Sequence, residues 1–436
     1  WKEFETTFSV KLNQQQKEAV QSTKGPVLLL AVPGSGKTTV LVTRLGYMIY
    51  CRNIPPESIL TVTYTVAATK DMSERFAVRF GEDMAKRLEF RTINGICAMI
   101  IQYYGRRIGK TPFELVKDEK ATTGMLIKIC QDHGMGYPTE SDLKNRIAGI
   151  YREYCRQMRE QKLMDYDDQM LYAYNILRKD PGVLAYFQNR YPYICVDEAQ
   201  DTSKIQHAII ALLAAGTGNL FMVGDEDQSI YGFRAAYPEA LLSFEKKHSG
   251  AKVLLMEENF RSNAKIVEAA DKFIQKNTLR HEKHMRAARE AGADIREISL
   301  KSRKAQYVYL MKAAQECTTG MAGMSGSEEH RGRADASVTE TAVLYRDNEC
   351  AIPLIDLLER KNIPYRMRNA DLSFFTHRTV LDVQNIIRFA MDSKDTELFM
   401  QIYYRLKLFF NKKDALRYGG AGCGIKIRQS GEISGR

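Results

Sequence analysis

The sequence predicts an α/β protein built on a parallel sheet, and three observations support this prediction. Between residues 25 and 105, apolar runs such as VLLLAV and ILTVTYT alternate with helical stretches, as strands connected by helices do. A glycine-rich turn, AVPGSGKTT (Ala31 to Thr39), links the first of these runs to a helix. Strand-like runs return after residue 172 in YPYICVDEAQ and LFMVGDEDQ, so we expect one sheet interrupted by a helical insertion.

The order of these patterns predicts five regions along the chain. The insertion is where strand patterns give way to segments rich in Lys, Arg, Tyr and Met, and a second α/β unit follows with ADIREISL and ETAVLYRD among its strands. Gly, Ser and charged residues between Cys317 and Glu340 predict a surface loop. The predicted regions are a first α/β domain at 1–105 and 173–250, the insertion at 106–172, the second unit at 251–410, and a glycine-rich tail at 411–436.

Composition narrows the class of protein without identifying a function. The 436 residues are 44% hydrophobic and 27% charged, as in soluble globular proteins. No apolar run approaches the roughly 20 residues of a membrane-spanning helix, so we expect no membrane partner. The chain opens on Trp1 without a signal-peptide pattern, so we expect a cytoplasmic protein whose start was trimmed. A net charge of +11 favours a polyanionic partner over a merely soluble basic surface, although charge alone does not decide between them.

Nothing in the sequence predicts a zinc site or a disulfide framework. The eight cysteines are scattered, with no CxxC pair among them. The run HEKH, from His281 to His284, lacks the HExxH spacing of a zinc protease, so we interpret it as charged helix surface.

The turn AVPGSGKTT fits a phosphate-binding loop except at its first position, where Ala31 replaces the usual glycine. Glycines allow backbone N–H groups to surround phosphates, and the following helix presents its positive N-terminal end. Lys37 would hold the β- and γ-phosphates of ATP, and the Thr38 hydroxyl would ligate Mg²⁺. A chance glycine turn is the alternative. The residues that we assign to the nucleotide here are Pro33, Gly34, Ser35, Gly36, Lys37, Thr38 and Thr39.

A second element strengthens the prediction of a nucleotide site. YICVDEAQD is an apolar strand that ends in two adjacent carboxylates. We expect Asp197 to ligate Mg²⁺ and Glu198 to orient or deprotonate the attacking water. A solvated acidic turn is the alternative, but two such elements seldom occur together by chance.

Further motifs give a resemblance to a known family. The chain resembles superfamily 1 helicases of the UvrD/Rep/PcrA group, because the family's motifs follow one another in order. Near the end, TAVLYRDN and NIPYRMRNADLSFFTHRTVLDVQNIIRF resemble the start of the family's second motor domain. The earlier matches are LNQQQ, AVPGSGKTT, TVTYTVAATKDM, FRTINGICAMI, MDYDDQM, VDEAQDT, GDEDQSIYGFRAA and EENFRS.

The resemblance implies two RecA-like P-loop NTPase domains and a role for several residues at the nucleotide. Gln16 is expected to read the adenine, and Phe260 to pack on it. Gln228 is expected to contact the γ-phosphate and couple it to the strand-binding site. Arg261 is expected to reach the γ-phosphate from the second motor domain, where it would stabilise charge on the transferring phosphoryl group.

The resemblance also implies a binding site for single-stranded DNA. Tyr64 and Phe233 match positions that stack bases, which suits strand binding because every base offers a π-face. Without the motifs, both aromatic residues would be assigned to the core. Arg234 matches a position that reaches towards the nucleotide, and Thr65 and Thr92 are expected to hydrogen-bond phosphates.

The chain departs from the family pattern in two respects. Val66 and Ala67 stand in place of Asn-Lys, and the run Ile93 to Gly95 replaces Phe-His-Ser, so we expect fewer polar, basic and aromatic groups on the strand-binding face. The family's later motifs also have no counterpart that we recognise. We therefore expect an N-terminal portion of a helicase, with an incomplete second RecA-like domain.

The resulting hypothesis is an ATP-dependent DNA helicase that acts on single-stranded DNA and duplex junctions in the 3′-to-5′ direction, with ATP and Mg²⁺ as cofactors. The alternatives are a shortened module that binds ATP and nucleic acid, a helicase subunit of a recombination nuclease, and a P-loop ATPase acting on protein or RNA. The sequence leaves open the pathway and the oligomeric state, with a monomer as one option.

Overall fold

The computed structural model describes residues 1–132, 140–322, 341–367, 378–391 and 395–403. The chain divides into two compact units, Trp1–Arg296 and Glu297–Arg436, which we describe separately. The predicted tail at 411–436 and most of the predicted loop between Cys317 and Glu340 lie outside the described residues.

The first unit is built around a parallel sheet, and this confirms the predicted fold class. Its six strands occur in the spatial order β3-β2-β6-β7-β1-β8, and all neighbouring pairs are parallel. Two short pairs, β4 with β5 and β9 with β10, stand apart from this sheet. The strands are β1 (Val27–Ala31), β2 (Ile59–Thr63), β3 (Glu89–Thr92), β4 (Glu114–Leu115), β5 (Leu163–Met164), β6 (Tyr193–Val196), β7 (Leu220–Gly224), β8 (Lys252–Met256), β9 (Glu258–Asn259) and β10 (Arg286–Ala287).

Helices connect the strands and cover both faces of the sheet, because parallel strands need crossover connections. In the first unit these helices are α1 (Lys2–Thr7), α2 (Gln14–Gln21), α3 (Lys37–Arg52), α4 (Val66–Phe80), α5 (Glu82–Arg87), α6 (Ile93–Ile108), α7 (Glu119–Asp132), α8 (Glu140–Glu160), α9 (Tyr166–Lys179), α10 (Pro181–Arg190), α11 (Lys204–Ala214), α12 (Glu239–Leu242), α13 (Phe244–Lys247) and α14 (Ala264–Ile274). The described helices of the second unit are α15 (Arg303–Ala322), α16 (Asn348–Arg360), α17 (Arg378–Met391) and α18 (Thr396–Ile402). No described helix combines the length and apolar character that crossing a lipid bilayer requires.

The core lies on both faces of the sheet, as the continuous apolar run of β1 predicts. Leu28 and Leu30 belong to one core cluster, whereas Val27, Leu29 and Ala31 belong to the other, because successive side chains of a strand point to opposite faces. Each fully buried leucine contributes about 2 kcal/mol of hydrophobic free energy. Burial on both sides therefore holds the centre of the sheet, and with it the loop that follows β1.

The predicted insertion contains α7 and α8, with a small core of its own that includes Ile129, Ile150 and Tyr154. The expectation that strands stop here is wrong in one detail. Glu114 and Leu115 pair in parallel with Leu163 and Met164, so a short two-stranded sheet closes the base of the insertion.

One predicted boundary and two predicted strands differ from the structure. The predicted boundary between residues 250 and 251 falls just before β8, and β8 extends the first sheet because it pairs with β1 over five positions. ADIREISL forms no strand, and neither do residues 341–347 of ETAVLYRD. A strand needs a hydrogen-bonded neighbour as well as an apolar pattern, and the described residues supply none for these two segments.

The parallel arrangement decides where chemically useful side chains gather. In a parallel sheet the carboxyl ends of all strands lie at one edge, where ligands of open α/β sheets bind. The glycine-rich loop follows β1, and Tyr64 follows β2. Asp197 follows β6 and Asp225 follows β7. The fold therefore brings the predicted motifs together at this edge.

Candidate active site

The loop between β1 and α3 has the backbone geometry of an anion-binding turn. Gly34 (φ +72°) and Gly36 (φ +88°) both adopt left-handed conformations that favour glycine. Gly36 caps α3, so the helix begins at Lys37 with unpaired N–H groups facing the loop. The Ser35 side chain is buried and donates a 2.7 Å hydrogen bond to the Val32 carbonyl, which closes the turn. Backbone N–H groups and the helix end therefore offer a site for phosphate.

Gln16 braces this loop from the side. It completes a capping box at the start of α2, where its Oε1 accepts a 3.0 Å hydrogen bond from Asn13 N. Its Nε2 donates a 2.9 Å hydrogen bond to the Ser35 carbonyl. The side chain is buried against the loop, and its contact with adenine stays a prediction.

Lys37 and Glu198 meet across the loop. Lys37 Nζ lies 2.8 Å from Glu198 Oε2, which also accepts a 2.8 Å hydrogen bond from Gln200 Nε2. Burial would raise the pKa of Glu198, but the charge of Lys37 and these two hydrogen bonds together lower it. Glu198 has φ +47°, a strained backbone for a residue with a side chain, which directs it out of the line of β6.

The neighbouring carboxyl groups of Asp197 and Asp201 have raised pKa values, in contrast to the lowered pKa of Glu198. Burial, with a smaller contribution from the charge of Glu198, raises the pKa of Asp197 to about 6 and that of Asp201 to about 6. Asp197 Oδ1 is buried with no hydrogen-bond partner among the described residues. An uncompensated carboxylate oxygen is costly unless a cation binds it.

The available donors fit Mg²⁺. Oxygen ligands suit this ion, which takes one or two protein side chains and completes its shell with water and substrate phosphates. Asp197 would supply a carboxylate oxygen, and Thr38, in the first turn of α3, would supply a hydroxyl. The described residues contain no cluster of three or more His, Cys, Asp or Glu side chains, and a magnesium ion shared with phosphates does not need one.

Hydrogen bonds connect this acidic corner to Gln228. Gln200 Oε1 accepts a 3.0 Å hydrogen bond from Asp225 N, and Gln228 Nε2 donates a 2.7 Å hydrogen bond to Asp225 Oδ2. Because Gln200 also holds Glu198, the connection runs from Lys37 to Gln228 without a break.

Phe260 and Arg261 also lie beside the phosphate loop. Phe260 N donates a 3.0 Å hydrogen bond to the Gly34 carbonyl, and a Cβ built on Gly34 would lie 2.8 Å from Arg261 Cβ. Asn259 Oδ1 accepts 2.8 Å hydrogen bonds from Arg261 N and Ser262 N, which shapes this turn. In the structure Arg261 lies in the first compact unit, on the segment that follows β8, and its contact with the γ-phosphate stays a prediction.

Aromatic side chains gather in the first unit on the turns after β2 and β7. The Tyr64 and Tyr231 rings stack with centroids 6.0 Å apart, and Tyr231 meets Phe233 edge-on at 5.9 Å. Phe233 is 79% exposed, and a base platform requires a solvent-accessible aromatic ring of this kind. The Arg234 side chain lies outside the described part of the structure.

Thr65 and Thr92 lie at the carboxyl edge of the sheet, Thr65 two residues after β2 and Thr92 at the end of the neighbouring strand β3. Each is the N-cap of a helix, and each Oγ1 accepts a 3.1 Å hydrogen bond from a backbone N–H three residues later. Each hydroxyl keeps its own proton, so it can still donate to a phosphate. The two helix N-termini point at the same edge of the sheet and favour an anion there.

The departures from the family pattern differ in their consequences. Val66 and Ala67 are exposed in the first turn of α4, so the surface lacks polar side chains there, as expected. Ile93 is instead the first residue of α6, and its side chain is buried in the core, so it does not form part of the exposed surface. Asn94 is half-buried, and its Oδ1 has no hydrogen-bond partner among the described residues.

Comparison with known proteins decides the family. A family model described as the UvrD/REP helicase N-terminal domain matches residues 12–142 and 131–249, and one described as the UvrD-like helicase C-terminal domain matches residues 254–429. The chain belongs to the UvrD/REP helicase family. The resemblance inferred from the motifs is thus confirmed. The expectation that the family's later motifs are absent is not supported, because its C-terminal domain is represented through residue 429.

Individual members of the UvrD/REP family align with most of the chain. The ATP-dependent DNA helicase PcrA of Staphylococcus epidermidis is 31% identical over 411 residues, which cover 88% of this chain and 54% of that protein. The putative ATP-dependent DNA helicase YjcD of Bacillus subtilis is 32% identical over 435 residues, with coverages of 94% and 55%. The chain therefore spans about half the length of the curated relatives it matches.

Sequence reasoning missed three residues at or beside this candidate site. Tyr231 and Gln200 lie inside the quoted motifs, but only the three-dimensional contacts show that they join neighbouring groups. The HEKH run is not helical, and its Lys283 is buried rather than on a charged surface. A run of charged residues is typical of an exposed segment, and no local sequence pattern predicts a buried ion pair.

Proposed function

We propose that this chain binds ATP with Mg²⁺ and couples its hydrolysis to 3′-to-5′ movement along single-stranded DNA, as part of an ATP-dependent DNA helicase. The observation that carries the proposal is the unbroken connection from Lys37 through Glu198, Gln200 and Asp225 to Gln228. Names of relatives that align over most of the chain support it, since PcrA is an ATP-dependent DNA helicase.

The residues of the loop would act first on the phosphates. Backbone N–H groups between Gly34 and Lys37 would hold them, and the negative charge of ATP would draw Lys37 Nζ away from Glu198. Glu198 would then be free to accept a proton from the attacking water, which is the role of a general base. Mg²⁺ bound at Thr38 and Asp197 would neutralise charge on the phosphate oxygens.

The same loop would pass the state of the nucleotide to the DNA. Gln228 would sense the γ-phosphate, and it lies three residues before Tyr231 and five before Phe233. A small movement of this turn would therefore alter the grip of the aromatic rings on stacked bases. Separation of one base-pair step costs about 1.4 kcal/mol, which the hydrolysis of one ATP exceeds.

Steady-state ATP hydrolysis by the 436-residue chain, with and without an oligo-dT strand, tests the proposal. We expect DNA to stimulate turnover. Lys37→Ala should abolish nucleotide binding, while Glu198→Gln should keep binding and lower turnover by about a hundredfold or more, because general bases contribute that much. Wild-type turnover in Glu198→Gln would exclude Glu198 as the base, and measurable ATP binding without hydrolysis would favour the shortened binding module.

A substitution at Phe233 separates DNA-driven activity from an ATPase that acts on RNA or protein. We expect Phe233→Ala to remove DNA stimulation and leave basal turnover unchanged, because base stacking contributes about 1–3 kcal/mol per base. Phe273→Ala is the matched control, since Phe273 is also largely exposed but lies on α14. Equal stimulation in the Phe233 and Phe273 variants would contradict the assignment of Phe233 to DNA.

A further inference from the structure

A buried cluster of charges lies next to the turn that carries Gln228. The Lys283 side chain is 1% exposed, and its Nζ lies 2.9 Å from Asp225 Oδ1, 2.7 Å from Glu226 Oε1 and 3.0 Å from Asp227 Oδ2. Arg280 pairs with Asp227 at 2.8 Å. Removing a charge from water is costly, so a buried lysine surrounded by three carboxylates indicates that these charges have a specific structural role here.

The cluster keeps its charges despite burial. Burial alone would lower the pKa of Lys283, but the charges of Asp225 and Glu226 raise it above its ordinary value. Burial would likewise raise the pKa of Glu226, yet hydrogen bonds from His281 and the charge of Lys283 bring it down to about 2. Lys283 and Glu226 are therefore both charged at neutral pH.

Among the described residues, the three carboxylates depend on Lys283 to different degrees. Asp227 also has Arg280, and Glu226 also accepts a 2.8 Å hydrogen bond from His281 N. Asp225 has Lys283 as its single cation within ion-pair distance in the described chain. Asp225 is also the residue that holds Gln228, since its Oδ2 accepts the Gln228 side chain while its Oδ1 faces Lys283.

The segment that carries Lys283 is hydrogen-bonded to Glu257, the residue between β8 and β9. His284 N donates a 3.0 Å hydrogen bond to Glu257 Oε1, and Arg286 N donates a 2.8 Å hydrogen bond to the Glu257 carbonyl. β10 then pairs with β9 immediately before Phe260 and Arg261. Lys283 thus joins the turn after β7 to the turn after β9.

We infer that Lys283 is a positioning residue for the nucleotide reaction: it fixes Asp225, and through it Gln228, at the terminal phosphate of ATP, and it ties this turn to the segment that carries Arg261. The inference rests on the proposed function, which places Gln228 at the γ-phosphate. Lys283 itself is buried and acts through Asp225. Its loss should therefore impair recognition of the third phosphate without changing how the loop holds the other two.

Equilibrium binding of two fluorescent nucleotides tests this role without requiring hydrolysis. The 436-residue chain is titrated with mant-AMPPNP, which keeps a terminal phosphate, and with mant-ADP, both in the presence of Mg²⁺. We expect Lys283→Met to lower the preference for mant-AMPPNP by about tenfold, within the usual range of coupling energies, and to leave mant-ADP affinity unchanged. Lys272→Met is the matched control, because Lys272 pairs only with Glu268 on the exposed face of α14 in the described structure.

A double-mutant cycle separates positioning from general destabilisation. Gln228→Ala should lose the same preference, and adding Lys283→Met to it should cause no further loss, because both changes remove one interaction. Lys283→Arg, which keeps the charge, should recover part of the preference. Equal weakening of both nucleotides, or multiplicative effects of the two substitutions, would overturn the inference.

A second variant and a folding measurement guard against loss of the native structure. Lys283→Met leaves carboxylates unpaired in the interior and can unfold the chain, so Lys283→Met with Glu226→Gln, which removes one of those charges, is measured in parallel. Thermal unfolding monitors each variant. A chain that binds both nucleotides but hydrolyses no ATP would refute the proposed function, while the nucleotide preference would still decide the role of Lys283.

Discussion

Gly34 is the residue at which the phosphate loop and the turn after β9 come closest. A Cβ there would lie 2.7 Å from Asn259 Oδ1 and 2.8 Å from Arg261 Cβ, so Gly34→Ala must displace one of the two segments. We expect a loss of ATP affinity of about tenfold or more, since misplaced phosphate donors lose their hydrogen bonds. Fluorescent-nucleotide titration measures this loss.

Gly25→Ala is the control for that substitution. Gly25 has a similar φ of +75°, but a Cβ added there would meet no atom within 4 Å. The Gly25 variant therefore reports the backbone cost alone, about 1 kcal/mol of folding stability. If the Gly34 and Gly25 variants bound nucleotide equally well, close approach at Gly34 would have no part in the site.

The residues that we expect to act on phosphate were predictable because each belongs to a local sequence pattern. Lys37 and Glu198 lie 161 positions apart, yet each is marked by a strand and a turn, and the structure brings them to 2.8 Å. Lys283 could not be found in this way, because a lysine among charged residues has no sequence feature that distinguishes burial from exposure. Its partners precede it by more than fifty residues, and only tertiary packing joins them.

At the scale of elements, the packing of α3 against α4 depends on a glycine. Gly46 is in the middle of α3, and a Cβ there would overlap the buried ring of Phe80. Alanine is the better helix former by about 1 kcal/mol, but overpacking a core costs about 1–3 kcal/mol. Phe80 is held by rings that include Phe4 and Phe76, so we expect the steric cost to prevail and Gly46→Ala to lower the free energy of unfolding.

Urea unfolding followed by circular dichroism measures this change. Gly149→Ala serves as the comparison, because Gly149 lies in α8 with open space around it and should gain helix stability. A stabilised Gly46→Ala variant would show that α3 and α4 can separate without loss.

The sequence predicted elements well where each strand also has a neighbour to pair with. β1 and β6 appear where apolar runs and motifs placed them. The predicted boundary at residue 250 separates β8 from its sheet because a strand's own residues do not show which sheet it joins, and its pairing with β1 is a contact across more than 200 residues. ADIREISL has an alternating pattern but no partner in the described structure, so the pattern alone overestimated it.

For the whole molecule, the net charge of +11 predicts salt-sensitive binding to single-stranded DNA. Each phosphate contacted adds a slope of about −0.7 to a plot of log affinity against log salt, so three contacts weaken binding about twentyfold between about 50 and 200 mM. Fluorescence anisotropy of a labelled oligo-dT strand measures this slope. An uncharged peptide nucleic acid of the same sequence is the control, and equal slopes for the two strands would show that phosphates are not the attraction.

The parallel sheet also determines where a label or tether can be attached for single-molecule experiments. Every site residue discussed lies at or beyond the carboxyl ends of the strands, while the exposed Ser249 precedes the amino end of β8. Strands of four or five residues separate the two edges by about 15 Å. Ser249 is therefore a suitable anchor for a surface tether or a dye in single-molecule recordings, since an attachment there leaves the opposite edge open to nucleotide and DNA.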